Sequence, residues 1–204
     1  GNGNLNLSPA YGSGVADNVL FDATEYFDKR VINPLAPNEN SLTTTTSEFV
    51  RATTGPFAGS YVLQTSGYRD FYTAYMPVEP GEELYGEMSV RRISGSGGTV
   101  YYGIERYDQN LSPIAGNSGT TYFVVSGANQ TSTSWQTYRG YTTIPSNCYY
   151  VRIRVLMNYS TGGALRQYAG IMLKRSNYHG RLRGDDIIVT GDVTADRYYD
   201  RNNT

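Results

Sequence analysis

From Ser41 onward, apolar and polar residues alternate with a period of two, and there is almost no helical periodicity. The clearest run is Leu84 to Ile93, where Leu84, Gly86, Met88 and Val90 share one face and Tyr85, Glu87, Ser89 and Arg91 share the other. Tyr61 to Thr65, Arg69 to Met76, Val100 to Tyr107, Thr121 to Ser126, Trp135 to Ile144, Tyr149 to Met157 and Gln167 to Lys174 read as further strands. Read as one unbroken strand, Arg69 to Met76 puts Phe71 and Tyr75 on the side opposite Tyr72 and Met76. Between these runs lie Gly, Ser, Thr, Asn and Pro. Pro80-Gly81 forms a tight turn in which Gly supplies the positive φ. About eight short strands at this spacing predict an all-β fold, an antiparallel β-sandwich, with the jelly roll the commonest way of placing eight strands in two sheets.

The ends differ from the middle. Residues 1–14 are rich in Gly, Asn and Ser and read as a linker or connecting segment. Residues 15–175 carry the sandwich. Residues 176–204 carry a short apolar run, Ile187-Ile188-Val189, and then Val193, too little apolar surface for an independent core. This last segment is expected to order only as a trimerising β segment, with Tyr198 and Tyr199 packed across chains.

Composition narrows the function classes. The chain of 204 residues suits one well-filled sandwich with short extensions. A formal net charge of -1 favours neither nucleic acid nor an anionic membrane. There is no apolar run of about 18 residues, hence no membrane span is expected. Twenty of the residues are Tyr, a type that buries its ring while its hydroxyl reaches a polar partner or solvent. Lysine occurs only at Lys29 and Lys174, and the other basic residues are Arg, whose planar fork suits hydroxyl-rich or phosphorylated glycans as well as a plain strand surface. The single cysteine, Cys148, forms no intrachain disulfide and reads as a small buried residue. No zinc spacing and no convincing Ser-His-Asp set occurs.

Two resemblances emerge from these residues. Met76 to Tyr85, with its Pro80-Gly81 turn, the strand end Ile104 to Asp108, Trp135-Gln136-Thr137-Tyr138-Arg139-Gly140, and Ile144-Pro145 to Val155 together resemble, in order and spacing, the strands of carbohydrate-binding-module-like jelly rolls. This likeness covers roughly Val19 to Arg175. The second is shorter: Gly191 to Thr204 is similar to the G-x-V-x-A-x-x-F/Y-Y-D-x-x-N-T repeat of phage long tail fibres. It implies a fragment of a longer fibre, a homotrimer joined through its C-terminal segment to neighbouring fibre segments, on the virion and outside the cell when acting. The function these resemblances imply is a structural and adhesive module of a phage tail fibre that takes part in host attachment. The alternatives are a carbohydrate-binding module for a bacterial surface polysaccharide and, third, a polysaccharide depolymerase.

For a glycan site, the less apolar strand faces offer Tyr85, Tyr101, Tyr107 and Tyr150 as ring platforms. Arg91, Arg152 and Arg154 follow on the same faces by the period-two rule, and the seven together are expected to line one polar sheet. Trp135, at a strand start, reads as a core or sheet-edge residue, and Met76, Met88 and Met172 as core gap fillers. No enzymatic role is expected. Glycoside hydrolysis needs two carboxylates about 5 to 10 Å apart across a cleft. Neither Glu79, Glu82 and Glu83 around the turn nor the adjacent Asp185-Asp186 meets that need, which leaves Glu87 and Glu105, expected to face one another on neighbouring strands. No cofactor is expected, although the jelly-roll resemblance allows a structural calcium near Asp17, Asp22 and Glu25. His179 reads as an exposed turn residue, with a metal on a trimer axis as the alternative.

Overall fold

The computed structural model describes residues 19–24, 26–27, 48–114, 119–160 and 163–176. The linker 1–14, the segment 177–204 with its trimer expectation and His179, and Asp17 and Glu25 lie outside the described residues.

Eleven strands are described: β1 (Val19–Asp22), β2 (Phe49–Arg51), β3 (Tyr61–Thr65), β4 (Arg69–Tyr72), β5 (Met76–Pro77), β6 (Glu83–Ser94), β7 (Thr99–Tyr107), β8 (Thr120–Ala128), β9 (Gln136–Thr143), β10 (Tyr150–Tyr159) and β11 (Leu165–Arg175). They form two antiparallel sheets. The first has the order β2-β3-β11-β6-β9, and β1 continues the edge of β11 that β3 begins. The second has the order β4-β10-β7-β8, and β5 shares with β4 one edge of β10. The chain is thus a two-sheet antiparallel β-sandwich, as the alternation predicts.

The inner faces carry the core. From the first sheet come Leu84, Met88 and Val90 of β6 and Tyr168, Ile171 and Leu173 of β11; from the second come Tyr102 and Ile104 of β7 and Val151, Ile153 and Val155 of β10, all buried. At roughly 25 cal/mol per Å² of apolar surface removed from water, this double layer is the main stabilising term. Cys148 is buried, as expected, and its thiol donates to the Tyr150 carbonyl at 3.4 Å. Pro80-Gly81 turns the chain into β6: the Glu82 amide donates to the Glu79 carbonyl at 3.1 Å, and Gly81 has φ +83°, a value only glycine adopts without strain.

Two expectations about faces are corrected. Arg69 to Met76 is not one strand, because β4 ends at Tyr72 and β5 starts at Met76. At the break, the Thr73 hydroxyl accepts the Ile153 amide at 2.8 Å, in place of a backbone carbonyl. The alternation slips by one residue, so Phe71 and Met76 both enter the core. Met172 is not a core residue. The pairing of β11 with β6 shifts between Ala169 and Met172, where Gly170 has φ +57°. This bulge changes the phase of the strand, placing Ile171 and Leu173 inward and Met172 outward. Met76 and Met88 do pack in the core, joined by Met157.

Candidate functional site

The outer face of the five-stranded sheet concentrates side chains of one chemical kind. In the pairing of β10 with β7, Tyr150 lies opposite Tyr107, Arg152 opposite Glu105, Arg154 opposite Gly103 and Leu156 opposite Tyr101. On the other edge of β10, Arg154 lies opposite Tyr72 and Leu156 opposite Asp70. Period-two geometry therefore turns Tyr101, Glu105, Tyr107, Tyr150, Arg152, Arg154, Asp70 and Tyr72 outward together.

Glu105 is the hub. Only 2% exposed, it lies beneath the side chains around it. It accepts Arg152 Nε at 2.5 Å, Tyr107 Oη at 2.6 Å, Arg154 Nη1 at 3.3 Å and Thr120 Oγ1 at 3.4 Å. Arg154 also grips Asp70 in a bidentate pair, Nη2 to Oδ2 at 2.9 Å and Nε to Oδ1 at 3.2 Å. Tyr72 donates its hydroxyl to Asp70 at 3.0 Å. The guanidinium of Arg152 lies over the Tyr72 ring at 4.2 Å and within 5.6 Å of the Tyr75 and Tyr107 rings. Gly103, opposite Arg154 at the centre of the face, lets the β8 backbone approach closely. A Cβ there would stand 1.9 Å from the Thr121 carbonyl oxygen.

These contacts shift the acid–base behaviour of the face. Burial, reinforced by the neighbouring carboxylate charge, raises the Tyr72 and Tyr107 phenols well above the ordinary tyrosine value. Burial alone would make the two guanidinium ions easier to deprotonate, but their bonds to Glu105 and Asp70 outweigh it, so both Arg152 and Arg154 hold their protons more tightly than usual. Arg152 and Arg154 are thereby held charged, and the Tyr72 and Tyr107 phenols neutral, at physiological pH.

Aromatic rings flank this charged centre. Tyr75 meets Tyr107 at 4.8 Å between ring centroids. Toward the other end, Tyr68, Tyr159, Tyr101 and Tyr122 touch in series at 5.9, 5.4 and 5.0 Å. Tyr68, Tyr75 and Tyr159 are each more than 40% exposed. From Tyr101 to Tyr107 along β7 is six residues, or about 20 Å at roughly 3.3 Å per residue.

The sequence placed Tyr101, Tyr107, Tyr150, Arg152 and Arg154 on this face. The expectation that Tyr85 and Arg91 join them is corrected: both lie on β6, on the outer face of the other sheet. There Tyr85 donates to Glu87 at 2.5 Å, its ring meets that of Tyr141 at 5.0 Å, and Lys174 Nζ lies 4.9 Å above it. Arg91 donates to Gln167 at 2.8 Å and Thr54 at 2.8 Å and lies over Trp135 at 5.1 Å. Trp135 itself packs on Phe57 at 4.8 Å in a small cluster with Ala52, Val62 and Ala169, a sheet-surface role close to the one expected. The same division of sheets corrects the carboxylate pair: Glu87 is on β6 and Glu105 on β7, in different sheets, so they do not face each other. Sequence reasoning missed Asp70, Tyr72, Tyr75 and Tyr122. Asp70 and Tyr72 alternate correctly, but nothing local says that β4 lies beside β10.

Of the residues named for calcium, Asp22 is described, and its carboxylate accepts the Thr24 amide at 2.8 Å. Among the described residues no group of three His, Cys, Asp or Glu is placed to hold a metal.

No protein-family model matches the sequence, and no curated protein is similar to it in sequence. Similar solved structures exist. The CBM22-1–GH10 modules of Clostridium thermocellum endo-1,4-beta-D-xylanase 10B, solved with xylohexaose, align with TM-score 0.50 and 10% identity over 78% of this chain and 29% of that one. The CBM22-1 xylan-binding domain of a Paenibacillus barcinonensis protein aligns with TM-score 0.44 and 13% identity over 62% of this chain and 80% of that one. The enzymatically active domain of bacteriophage CBA120 tailspike protein 4 aligns with TM-score 0.42 and 14% identity over 67% of this chain and 19% of that one. The xylanase likeness is one of fold: this chain has the β-sandwich of carbohydrate-binding jelly-roll modules.

Proposed function

We propose that this chain is a carbohydrate-binding module whose site is the outer face of the five-stranded sheet. The observation that carries the reading is the convergence there of exposed tyrosine rings with paired carboxylates and guanidinium groups. A sugar ring presents apolar C–H faces, which suit aromatic platforms, and hydroxyls that both donate and accept. Arg152, Arg154 and Asp70 supply fixed donors and acceptors, and each is partly exposed. The xylohexaose-bound structure of similar fold is in keeping with the same class of ligand. The reading is of binding rather than hydrolysis, and it is supported by the carboxylates nominated as a catalytic pair lying in different sheets, with Glu105 held by two arginines.

The test is a glycan array followed by calorimetric titration. Saturable binding is expected, weakened on the order of tenfold or more in Arg152→Ala, the value of one hydrogen bond to a charged group, and weakened also in Tyr72→Ala. Absence of binding to every glycan, or binding that survives both substitutions in folded protein, refutes the assignment.

A second reading sets this module in a phage tail fibre, where it would serve host-surface attachment. The Gly191 to Thr204 motif favours it. In that setting the C-terminal segment joins three copies, with neighbouring fibre segments as further partners, and the protein acts on the virion, outside the cell. Sedimentation of the intact chain against one truncated after Arg175 decides: the reading requires a trimer that falls apart on truncation, and a monomeric intact chain rejects it.

A further inference from the structure

The charged side chains that meet on the outer face of the five-stranded sheet, among the described residues, are Asp70, Glu105, Arg152 and Arg154, two of each sign. Both guanidinium groups are already faced by carboxylates: Arg152 by Glu105, and Arg154 by Asp70 and Glu105. Glu105 is buried under the groups it neutralises. A uronate or phosphate arriving here would have to compete with an internal carboxylate for each guanidinium while lying close to two negative charges. Its desolvation would then go uncompensated. A hydroxyl meets no such conflict, because it can donate to Asp70 Oδ1, which accepts one bond from Arg154, and accept from the Nη groups of Arg152, which holds Glu105 through Nε.

We infer that Glu105 determines the specificity of this face and restricts it to uncharged glycans, excluding those that bear uronate or phosphate. The inference rests on the glycan-binding reading above and adds a mechanism to it. The two arginines act as oriented hydrogen-bond donors with their charge cancelled in advance. This is negative selection by a residue that need not touch the ligand. Glu105 is also the shared point on which Arg152, Arg154 and Tyr107 converge, so its carboxylate both orients the donors and removes their appetite for anions.

The experiment compares neutral oligosaccharides (xylohexaose, cellohexaose and maltohexaose, with neutral polysaccharides on an array) with hexagalacturonate and phosphorylated polysaccharides, using the full chain and Glu105→Gln. The amide keeps the volume of the carboxylate but leaves the face with one excess positive charge. The unaltered chain should bind a neutral glycan with little dependence on salt and acidic glycans at least about tenfold more weakly. Glu105→Gln should gain affinity for hexagalacturonate on the order of tenfold, the scale of one charge-assisted hydrogen bond, and that gain should fade as salt is raised. A merely structural role for Glu105 would lower all binding and produce no gain. Should Glu105→Gln fail to fold, Asp70→Asn at the partly exposed end of the network serves instead, with the same expected gain. Tight binding of acidic glycans by the unaltered chain, or a folded variant that gains nothing for them, overturns the inference and leaves the glycan reading standing. Binding of neither class overturns both.

Discussion

Substituting Asn158 by alanine should be among the most destabilising single changes in the chain. Arg166 of β11 points inward and is 0% exposed. None of the ion pairs among the described residues includes it. Its charge is instead solvated by neutral oxygens: Nε donates to the Gln130 carbonyl at 3.0 Å, Nη2 to Asn129 Oδ1 at 3.4 Å, and Nη1 to Asn158 Oδ1. The same Oδ1 accepts the Tyr168 hydroxyl at 3.2 Å, while Nδ2 of Asn158 donates to the carbonyls of Thr65, Gly67 and Ala164 at 3.1 to 3.2 Å. One amide thus serves five groups. Arg92 lies directly opposite Arg166 in the β6–β11 register, a like-charge neighbour that makes the acceptors more necessary.

Removing the amide orphans a charged donor and a phenol, and each unsatisfied buried group costs about 1–3 kcal/mol. Asn158 also has φ +53°, where alanine is disfavoured by roughly 1 kcal/mol relative to asparagine. The expected loss is about 4–6 kcal/mol, comparable to the whole stability of a modest domain. Urea unfolding followed by Trp135 fluorescence and circular dichroism measures it. Tyr168→Phe, which removes one donor and leaves the amide, should cost only about 1 kcal/mol. In a cycle with Arg166→Met, the double variant should be less destabilised than the sum of the singles, since Asn158 then has less to satisfy. A loss below about 1 kcal/mol for Asn158→Ala, an order-of-magnitude bound for one ordinary hydrogen bond, would refute the reasoning by showing that water replaces the amide at no cost.

Three further outcomes are expected. Gly103→Ala must push a Cβ against the Thr121 carbonyl at 1.9 Å and Tyr122 Cα at 2.6 Å. It should cost about 1–3 kcal/mol by overpacking; an unchanged melting temperature would contradict the close approach of β7 and β8. Burial would raise the Glu87 carboxyl, but hydrogen bonds from Tyr85 and Arg139 hold it below its ordinary value of 4.5; its contribution is therefore complete above that pH and lost as pH falls through the lowered value, so Glu87→Gln should flatten the acid limb of the stability profile, and an unchanged limb rejects the attribution. Burial raises the Tyr102 phenol far above 10.0, and its hydroxyl donates to the Met172 carbonyl at 2.6 Å. Stability should be intact below that pH and fall above it, and Tyr102→Phe should move alkaline unfolding upward, as followed by phenolate absorbance.

How much of this was legible depends on the range of the interaction that decides it. Which way a side chain points is local, so the inward set on β6 and the outward Arg152 and Arg154 on β10 follow from alternation alone. Alternation survives only while the strand is regular. Thr73 interrupts β4 and β5 by taking the Ile153 amide, and Gly170 bulges β11, and in each case every residue beyond changes side. That is why Tyr75 and Met172 fall on faces opposite to those the pattern assigned. Sheet membership is set by pairings between residues as distant as Arg154 and Tyr72, and no local pattern carries it. Glu87 and Glu105 have the same strand context in the sequence, an acidic residue one position from a glycine or an arginine on an alternating run, yet they lie in different sheets. Each carboxylate finds an arginine on a neighbouring strand of its own sheet, Arg139 for one and Arg152 for the other. The difference that matters for function is burial: Arg139 is 60% exposed while Glu105 is sealed beneath its partners. An exposed pair of this kind contributes little and reorganises easily, whereas a buried carboxylate joined to two guanidinium groups fixes their geometry. The proposed glycan site is therefore placed on the face where the carboxylate is hidden, with Tyr72, Arg152 and Arg154 as the side chains through which that hidden charge would reach a ligand.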